Sequence, residues 1–571
     1  MRLGHLALGL AALAVSACSS DEEAAFTPVP AADLVRTIGQ GELVGFETEG
    51  GAAAWMAVPY AAPPVGELRW RAPRPPLAFQ ARVEALEAGS VCPQVTNNLS
   101  AGELYETGEL IGAEDCLTLD IYAPRNVAAD EALPVMMWIH GGANTWGSSS
   151  AYDGSALASQ QGVIIVSVQY RLGPLGFLAH PALRADAEIG DDAAANFALL
   201  DLVAALHWIS GNIETFGGDP NRVTVFGESA GAYNIAGLMA APQARGLFHR
   251  AIMQSGGTAS VPLGIAEQGG GNDAVAGLAA GRAIAGEGAT GADLRGASLD
   301  AVYAAYRDED GELTSMPRMI EDGVTLPEGG ILAAAEAPGG FADVPLMSGT
   351  NRDEMKLYTV FDPRLTRRLG PLVWPKGEDH YEAAVEYPSR IWRYNAVDGL
   401  LNRLAANGRS DLWAYRFDWD EGGSVLVTDT GVLLGAAHAM EIPFVFNHFE
   451  LFGAFDSVLF NDRNEVGRVE LAETMGAYWA QFAASGMPGD GIGMGPQWPQ
   501  WTDTGAALRF DTRDDGGNEV FSRTESPLAI ASDLAADGRV DDETRCQIAR
   551  GIVARQPSLA DAFAGALTCD S

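Results

Sequence analysis

The sequence has 571 residues, of which 47% are hydrophobic and 8% aromatic, and its 75 acidic and 36 basic residues give a net charge of −39. This hydrophobic content is enough for a large buried core and excludes a predominantly disordered chain. Because so much negative charge would repel phosphate, we expect no nucleic-acid partner. The composition does not decide whether the acidic surface serves solubility, salty surroundings or the steering of cationic substrates.

The first 17 residues have the pattern of an export signal. Arg2 precedes an apolar run over residues 6–15, which is typical of a signal peptide and too short to span a bilayer. The run ends in Val15-Ser16-Ala17-Cys18, which resembles the lipobox of bacterial lipoproteins. The resemblance implies removal of residues 1–17, a lipid anchor on Cys18 that holds the protein to the membrane, and residues 18–30 as a flexible tether. Ser19 then suggests the bacterial cell envelope, at the outer membrane or its periplasmic face. An ordinary signal peptide with an incidental cysteine is the alternative.

The cysteine count fits an exported chain. Of the five cysteines, setting Cys18 aside leaves Cys92, Cys116, Cys546 and Cys569, an even set for an oxidising compartment. Closeness in sequence favours the pairs Cys92–Cys116 and Cys546–Cys569, and other pairings stay open.

Strand-like and helical patterns alternate along the chain. Short β-branched apolar runs predict strands and a longer run predicts an amphipathic helix; in chain order these are strands at 133–139 and 163–169, the helix at 196–209 and a strand at 223–226. The alternation predicts an α/β fold with a large, mostly parallel central sheet covered by helices. We assign residues 31–530 to this domain, with a peripheral Gly/Ala-rich region at 264–300. Residues 531–571 are predicted to form a helical tail pinned by its own disulfide.

A glycine-rich loop follows the first of these strands. Residues 135–139 lead into His140-Gly141-Gly142-Ala143. In α/β-hydrolases this position supplies backbone N–H groups to an oxyanion, and small residues let the main chain approach the reacting carbonyl. A plain glycine turn is the alternative reading.

The strand at 223–226 runs into Gly227-Glu228-Ser229-Ala230-Gly231, which is followed by small residues that can begin a helix. The motif alone is weak in a chain with 68 glycines. The strand-to-turn-to-helix context, however, is the one that a nucleophile elbow requires. It predicts an α/β-hydrolase fold with Ser229 as an exposed nucleophile.

A general base and an acid are expected downstream, because the α/β-hydrolase order is serine, acid, histidine. His140 precedes the serine and is therefore set aside. Among the later histidines, His438 lies in a small-residue loop, whereas His249, His380 and His448 have less suitable surroundings. A buried strand from residue 344 ends in a polar loop with Asp353 and Glu354, and spacing does not separate these two acids.

Several longer segments resemble the type-B carboxylesterase family, which includes the cholinesterases and the bacterial p-nitrobenzyl esterases. The resemblance extends over about residues 42–511 and rests on matching segments at 114–122, 170–178, 216–221, 254–256, 349–354, 438–446 and 498–501. Jointly these motifs are very specific.

The resemblance implies a serine hydrolase that cleaves small-molecule carboxylic esters to an acid and an alcohol through an acyl-enzyme. It places the nucleophile on Ser229, the base on His438 and the acid on Glu354. The remaining implied roles are oxyanion donors at Gly142, Ala143 and Ala230, support of the triad by Ser255, and a family disulfide between Cys92 and Cys116. No cofactor and no metal are expected.

Departures from the family pattern bear on the substrate. No tryptophan lies between Cys92 and Cys116, so choline esters are not expected. Asn144 and Thr145 stand where an aromatic residue is usual, and Met355 replaces a common glycine. A carbamate, amide, lactone or polyester is an alternative substrate class, and a non-catalytic cholinesterase-like binding module is an alternative of another kind. The complete triad argues against the binding module, while acyl and alcohol preference and oligomeric state stay open.

Overall fold

The computed structural model of the protein describes residues 26–97, 107–126, 131–270, 275–307 and 319–569. The predicted signal peptide, Cys18 and most of the predicted tether therefore lie outside the described residues.

Within this part of the chain, eleven strands form one central sheet. In chain order they are β1 (Phe46–Glu47), β2 (Ala52–Pro59), β3 (Thr118–Pro124), β4 (Leu133–Ile139), β5 (Ile164–Val168), β6 (Gly218–Glu228), β7 (Arg250–Gln254), β8 (Leu346–Asn351), β9 (Leu412–Phe417), β10 (Ala506–Phe510) and β11 (Glu519–Ser522). Their spatial order is β11-β10-β9-β8-β7-β6-β4-β5-β3-β2-β1. Strands β4 to β10 run parallel and the others pair antiparallel at the two edges. The predicted α/β fold and the strands predicted at 133–139, 163–169 and 223–226 are confirmed.

The register brings the carboxyl ends of four parallel strands to one edge. Gly227 at the end of β6 lies opposite Ile139 of β4, Glu228 lies opposite Gln254 of β7, and Gln254 lies opposite Gly349 of β8. Loops that leave these ends therefore meet, and this edge is where open α/β sheets bind their ligands.

The helices cover both faces of the sheet. Those that the text uses are α1 (Phe197–Asn212), α2 (Ala230–Ala240), α3 (Glu378–Arg393), α4 (Glu465–Ser485), α5 (Pro527–Ala536), α6 (Asp542–Arg555) and α7 (Ala560–Ala566). Further helices lie at Ser155–Gln161, Gly173–Gly176, Pro181–Ala185, Leu263–Gln268, Gly277–Ala285, Gly291–Arg295, Leu299–Ala304, Gly330–Glu336, Lys356–Thr359, Gly399–Ala406, Thr430–Leu433, Ile442–Phe446 and Asp456–Leu459. Small two-stranded or three-stranded sheets are formed by Val35–Ile38, Gly41–Val44, Val83–Glu84, Gln94–Val95, Leu110–Ile111, Val261–Pro262, Ile320–Glu321, Thr366–Leu369, Leu372–Pro375, Ser424–Val425 and Thr428–Asp429.

Strand β4 shows how the sheet is buried on both faces. Val135, Met137 and Ile139 join the apolar cluster that contains α1 and α2, whereas Met136 and Trp138 point into the cluster that contains α4. All seven residues of β4 are buried, as expected for a central parallel strand. Each such large side chain contributes about 1.5–3 kcal/mol to folding, so this strand is a rigid base for the loop that follows it.

Helix α1 differs from its prediction. A helix was expected at 196–209, and one is present, but 11 of its 16 residues are buried, so the expected amphipathic pattern is wrong. One side packs on the sheet, and Phe197 and Leu200 pack on a separate cluster with Trp70 and the Gly/Ala-rich helices. The helix even buries Asp201, which pairs with Arg171 (Oδ1 to Nη2, 2.7 Å).

Both predicted disulfides are present. Cys92 is bonded to Cys116, and Cys546 to Cys569. The second disulfide closes the tail helices α6 and α7, whose apolar side chains pack with α5 against Tyr387 and Ile391 of α3.

Candidate active site

Ser229 stands at the turn between β6 and α2. Its backbone has φ 53° and ψ −121°, a conformation that costs a non-glycine residue about 1–3 kcal/mol. The turn can be this tight because residue 231 is glycine: a Cβ there would overlap the carbonyl oxygen of Ile139. Ser229 is partly exposed although the residues beside it are buried. The strand, strained turn and helix of the predicted elbow are therefore present.

His438 and Glu354 come together next to this turn. The imidazole Nδ1 lies 2.6 Å from Oε2 of Glu354, which is fully buried. The other carboxylate oxygen accepts hydrogen bonds from the Ser255 hydroxyl (2.5 Å) and from the backbone N–H of Asn351 (2.8 Å). A carboxylate that is held by two donors keeps its free oxygen aimed at the imidazole and thereby fixes the orientation of the ring.

The neighbouring acid, Asp353, points elsewhere. Its carboxylate pairs with Arg352 and Lys356 and accepts a hydrogen bond from the backbone N–H of Ala436. Of the two acids that spacing left equal, only Glu354 contacts His438.

The other ring nitrogen of His438 faces the turn. Nε2 lies 3.1 Å from Oε1 of Glu228, the residue before Ser229, but without hydrogen-bond geometry. No hydrogen bond joins the Ser229 hydroxyl to the imidazole in the described part of the chain. Bonds between nucleophile and base are often long or poorly aligned without substrate, and the hydroxyl can rotate about χ1.

The carboxylates around His438 affect its charge. Burial lowers the pKa of the imidazole, but Glu228 and Glu354 outweigh burial and raise the pKa of His438 above the ordinary histidine value. Burial also raises the pKa of Glu228 well above its usual range. Glu228 and His438 therefore titrate as a coupled pair.

Two aromatic side chains form a wall beside the imidazole. The ring centroid of Trp392 is 4.6 Å from that of His438, and the centroid of Tyr358 is 5.5 Å away. The indole N–H of Trp392 donates to the backbone oxygen of Ser255 at 3.1 Å. Helix α3 thus supports both the histidine and the serine that binds Glu354.

The loop after β4 lies against the elbow. Gly142 has φ +93° and a Cβ there would overlap the backbone of Trp146, while Ala143 has φ 55°. Neither residue's N–H donates a backbone hydrogen bond within the described residues. The N–H of Ala230 is the first of helix α2, where backbone donors are free and the helix dipole favours negative charge. The three positions predicted as oxyanion donors thus have backbone N–H groups with no hydrogen-bond acceptor in the described part of the chain.

The four other histidines that the sequence analysis weighed lie in other surroundings. His140 is buried, stacks on Tyr170 with ring centroids 4.5 Å apart, and burial lowers its pKa to about 4. His249 accepts a hydrogen bond from the backbone N–H of Val223, and His380 is exposed. His448 is 4.0 Å from Glu450. The structure brings none of these four to Glu354.

Sequence reasoning did not single out four residues in or beside this site: Gln94, Glu228, Trp392 and Asn234, the last of which exchanges side-chain hydrogen bonds with Asn144 of the loop. Gln94 holds the loop from outside, because its amide both donates to the backbone oxygen of Gly147 (3.0 Å) and accepts from its N–H (2.8 Å). Glu228 could have been noted as a carboxylate inside the elbow motif. For Gln94, Asn234 and Trp392 no signal in the sequence points to the site.

No group of three or more His, Cys, Asp or Glu side chains arranged for a metal ion occurs within the described ranges. No helix in those ranges is both long and apolar enough to cross a membrane.

Comparisons with known proteins agree with this geometry. The family model of the carboxylesterase family matches residues 32–368. The para-nitrobenzyl esterase of Bacillus subtilis (strain 168) is 36% identical over 463 residues, covering 77% of this chain and 88% of that protein. The fumonisin B1 esterase of Sphingopyxis macrogoltabida is 33% identical over 545 residues, covering 89% of this chain and 90% of its own length.

Solved structures show the same likeness. A thermophilic para-nitrobenzyl esterase superposes with a TM-score of 0.65 at 31% identity, covering 86% of this chain and 97% of that one. A carboxylesterase of Geobacillus stearothermophilus gives a TM-score of 0.65 at 30% identity, with the same two coverages. The chain therefore belongs to the carboxylesterase family of α/β-hydrolases and is a serine hydrolase of carboxylic esters.

Proposed function

We propose that the ester is cleaved by Ser229, with His438 as general base and Glu354 as the acid that orients it. The observation that carries this assignment is the 2.6 Å contact between Nδ1 of His438 and Oε2 of Glu354, which leaves Nε2 directed at the elbow. With the Nδ1 proton held by the carboxylate, Nε2 is free to accept the proton of Ser229 as its oxygen attacks the ester carbonyl.

The negative charge that develops on the carbonyl oxygen is stabilised by the N–H groups of Gly142, Ala143 and Ala230. The unpaired state of these donors and the positive φ of the first two support this role. Protonated His438 then gives its proton to the alkoxide oxygen as the C–O bond breaks and the alcohol leaves. Water attacks the acyl-enzyme with the same base, and the acid is released with Ser229 restored.

Hydrolysis of p-nitrophenyl acetate, butyrate and octanoate by wild type and Ser229→Ala tests this mechanism. We expect the variant to lose activity by several orders of magnitude, as triad deletions do elsewhere. Equal activity in the two folded proteins would reject Ser229 as the nucleophile. Butyryl p-nitroanilide in the same assay separates an esterase from an amidase. A para-nitrobenzyl ester belongs in the panel, because a relative is named for that substrate.

We also propose that the protein is a lipoprotein held to the bacterial envelope through an acylated Cys18. The apolar run and the Val15-Ser16-Ala17-Cys18 sequence support this proposal. Labelling bacteria that express the full chain with an alkyne fatty acid tests it. Incorporation that Cys18→Ser abolishes is expected, whereas wild-type protein that is exported without label would contradict it.

A further inference from the structure

Two buried asparagines beside the elbow form a reciprocal amide pair. The side-chain N–H of Asn234 donates to Oδ1 of Asn144 at 2.8 Å, and that of Asn144 donates to Oδ1 of Asn234 at 3.2 Å. Asn234 is fully buried and Asn144 is 7% exposed. Each amide thus makes two hydrogen bonds to the other, out of reach of bulk water.

The pair joins two elements that the oxyanion site needs. Asn144 directly follows Ala143 in the loop after β4, and Asn234 lies on α2, the helix that begins at Ala230. The pair therefore ties the loop carrying two proposed oxyanion donors to the helix carrying the third. Neither amide hydrogen-bonds to Ser229, His438 or Glu354 within the described residues.

The loop needs such a tie because its backbone is strained. Gly142, Ala143 and Asn144 are consecutive and have φ values of +93°, 55° and 58°. Residues other than glycine and asparagine rarely adopt this left-handed conformation. Other hydrogen bonds hold this loop in the described chain, but they are not to the elbow: the N–H of Gly173 donates to the oxygen of Asn144 at 2.6 Å, and the amide of Gln94 binds the backbone of Gly147. Without the amide pair the loop could relax away from the elbow.

We propose that Asn144 and Asn234 are positioning residues that hold the oxyanion donors of the loop in register with the N–H of Ala230. This inference rests on the proposed function, because it assigns the pair to the geometry of that oxyanion site. It also gives a role to Asn144, which in the sequence was only a departure from the expected family pattern.

Three substitutions test the pair. Asn144→Gly keeps the left-handed backbone accessible but removes the amide. Asn234→Leu removes the partner at similar volume. Asn144→Asp still accepts the shorter bond from Asn234, but it replaces the donor of the longer bond by a second acceptor. Asn447→Gly is the matched control: Asn447 also has a positive φ (48°) and a side-chain amide bond, to Gln160, but lies outside the site.

The readout compares p-nitrophenyl butyrate with its thionoester, in which sulfur replaces the carbonyl oxygen. Sulfur is a weak hydrogen-bond acceptor, so the thionoester gains little from oxyanion donors. Loss of one donor costs about 10²- to 10³-fold elsewhere, and a displaced loop should cost somewhat less. We therefore expect Asn144→Gly and Asn234→Leu to lower kcat/KM for the oxoester about 10- to 100-fold. The loss should lie mainly in kcat, the thionoester should change little, and Asn144→Asp should be intermediate.

The double variant, Asn144→Gly with Asn234→Leu, should be no worse than either single variant, because the two act through one contact. An equal loss on both esters, or additive losses, would overturn the proposal, because a merely structural role lowers both rates alike. If Asn144→Gly or Asn234→Leu does not fold, the ratio of kcat/KM for the oxoester to kcat/KM for the thionoester in Asn144→Asp tests the proposal. Loss of activity in Ser229→Ala together with unchanged ratios in all asparagine variants would reject this inference while leaving the proposed function intact.

Discussion

The hydrogen bonds of Glu354 make Glu354→Gln a sharp test of the acid's role. Its carboxylate accepts three hydrogen bonds, from Nδ1 of His438, from the Ser255 hydroxyl and from the backbone N–H of Asn351. A glutamine offers one oxygen and one NH2 group. Because the backbone N–H of Asn351 can only donate, the amide oxygen of the glutamine should face Asn351 and the NH2 should face the imidazole. Nδ1 must then accept, which moves the ring proton to Nε2 and leaves no acceptor for the serine proton.

The expected loss is about 10⁴-fold in kcat, the size seen when the equivalent acid of a serine protease becomes an amide. At 1.36 kcal/mol for each tenfold change, this is about 5.5 kcal/mol of transition-state stabilisation. The assay is p-nitrophenyl butyrate hydrolysis with thermal unfolding measured in parallel. Asp353→Asn is the matched control, because that buried acid pairs with Arg352 and Lys356 and not with His438. Its loss should lower the free energy of unfolding, while kcat should stay within about tenfold of wild type. A folded Glu354→Gln protein that keeps a tenth of wild-type kcat would refute the reasoning.

Three further predictions follow from the described contacts. Glu228→Gln removes a carboxylate that raises the pKa of His438, so the rising limb of the kcat/KM profile should move to lower pH; an unchanged or higher limb would contradict this. Arg171→Met leaves the buried Asp201 without its partner and should lower the free energy of unfolding by about 3–5 kcal/mol in urea titrations; a smaller loss than 1 kcal/mol would argue against a buried pair. Gly231→Ala places a Cβ on a backbone oxygen of β4 and should abolish activity or soluble expression, whereas an active, stable variant would contradict the close approach.

Much of the fold was predictable because the central strands carry their own signal. The strand at Leu133–Ile139 was predicted to the residue, since a continuous apolar run buried on both faces looks the same in sequence and in structure. The burial of α1 was not predictable, because what covers Phe197 and Leu200 is a cluster of helices far along the chain. The periodicity of apolar residues indicates one buried helix face, so it does not identify a helix such as α1 that is buried on two faces.

The features of the active site likewise divide into those that local sequence predicts and those that depend on contacts between distant residues. The elbow motif and the glycine loop are local, and the sequence placed both. The choice between Asp353 and Glu354 depends on which side chain the end of β8 turns toward His438. Spacing gives no signal for adjacent residues of like chemistry, and it was the family resemblance that predicted Glu354. The pairing of Asn144 with Asn234 spans 90 residues, so only the strand register that brings β4 beside β6 could reveal it.

Covalent labelling tests the central claim most directly. A p-nitrophenyl phosphonate should react once per chain, release one equivalent of p-nitrophenolate, and leave a single adduct that peptide mass spectrometry places on Ser229. The Ser229→Ala protein should take up no label and hydrolyse no ester above background. An adduct on another residue of the active wild-type protein, or undiminished hydrolysis by Ser229→Ala, would contradict the account.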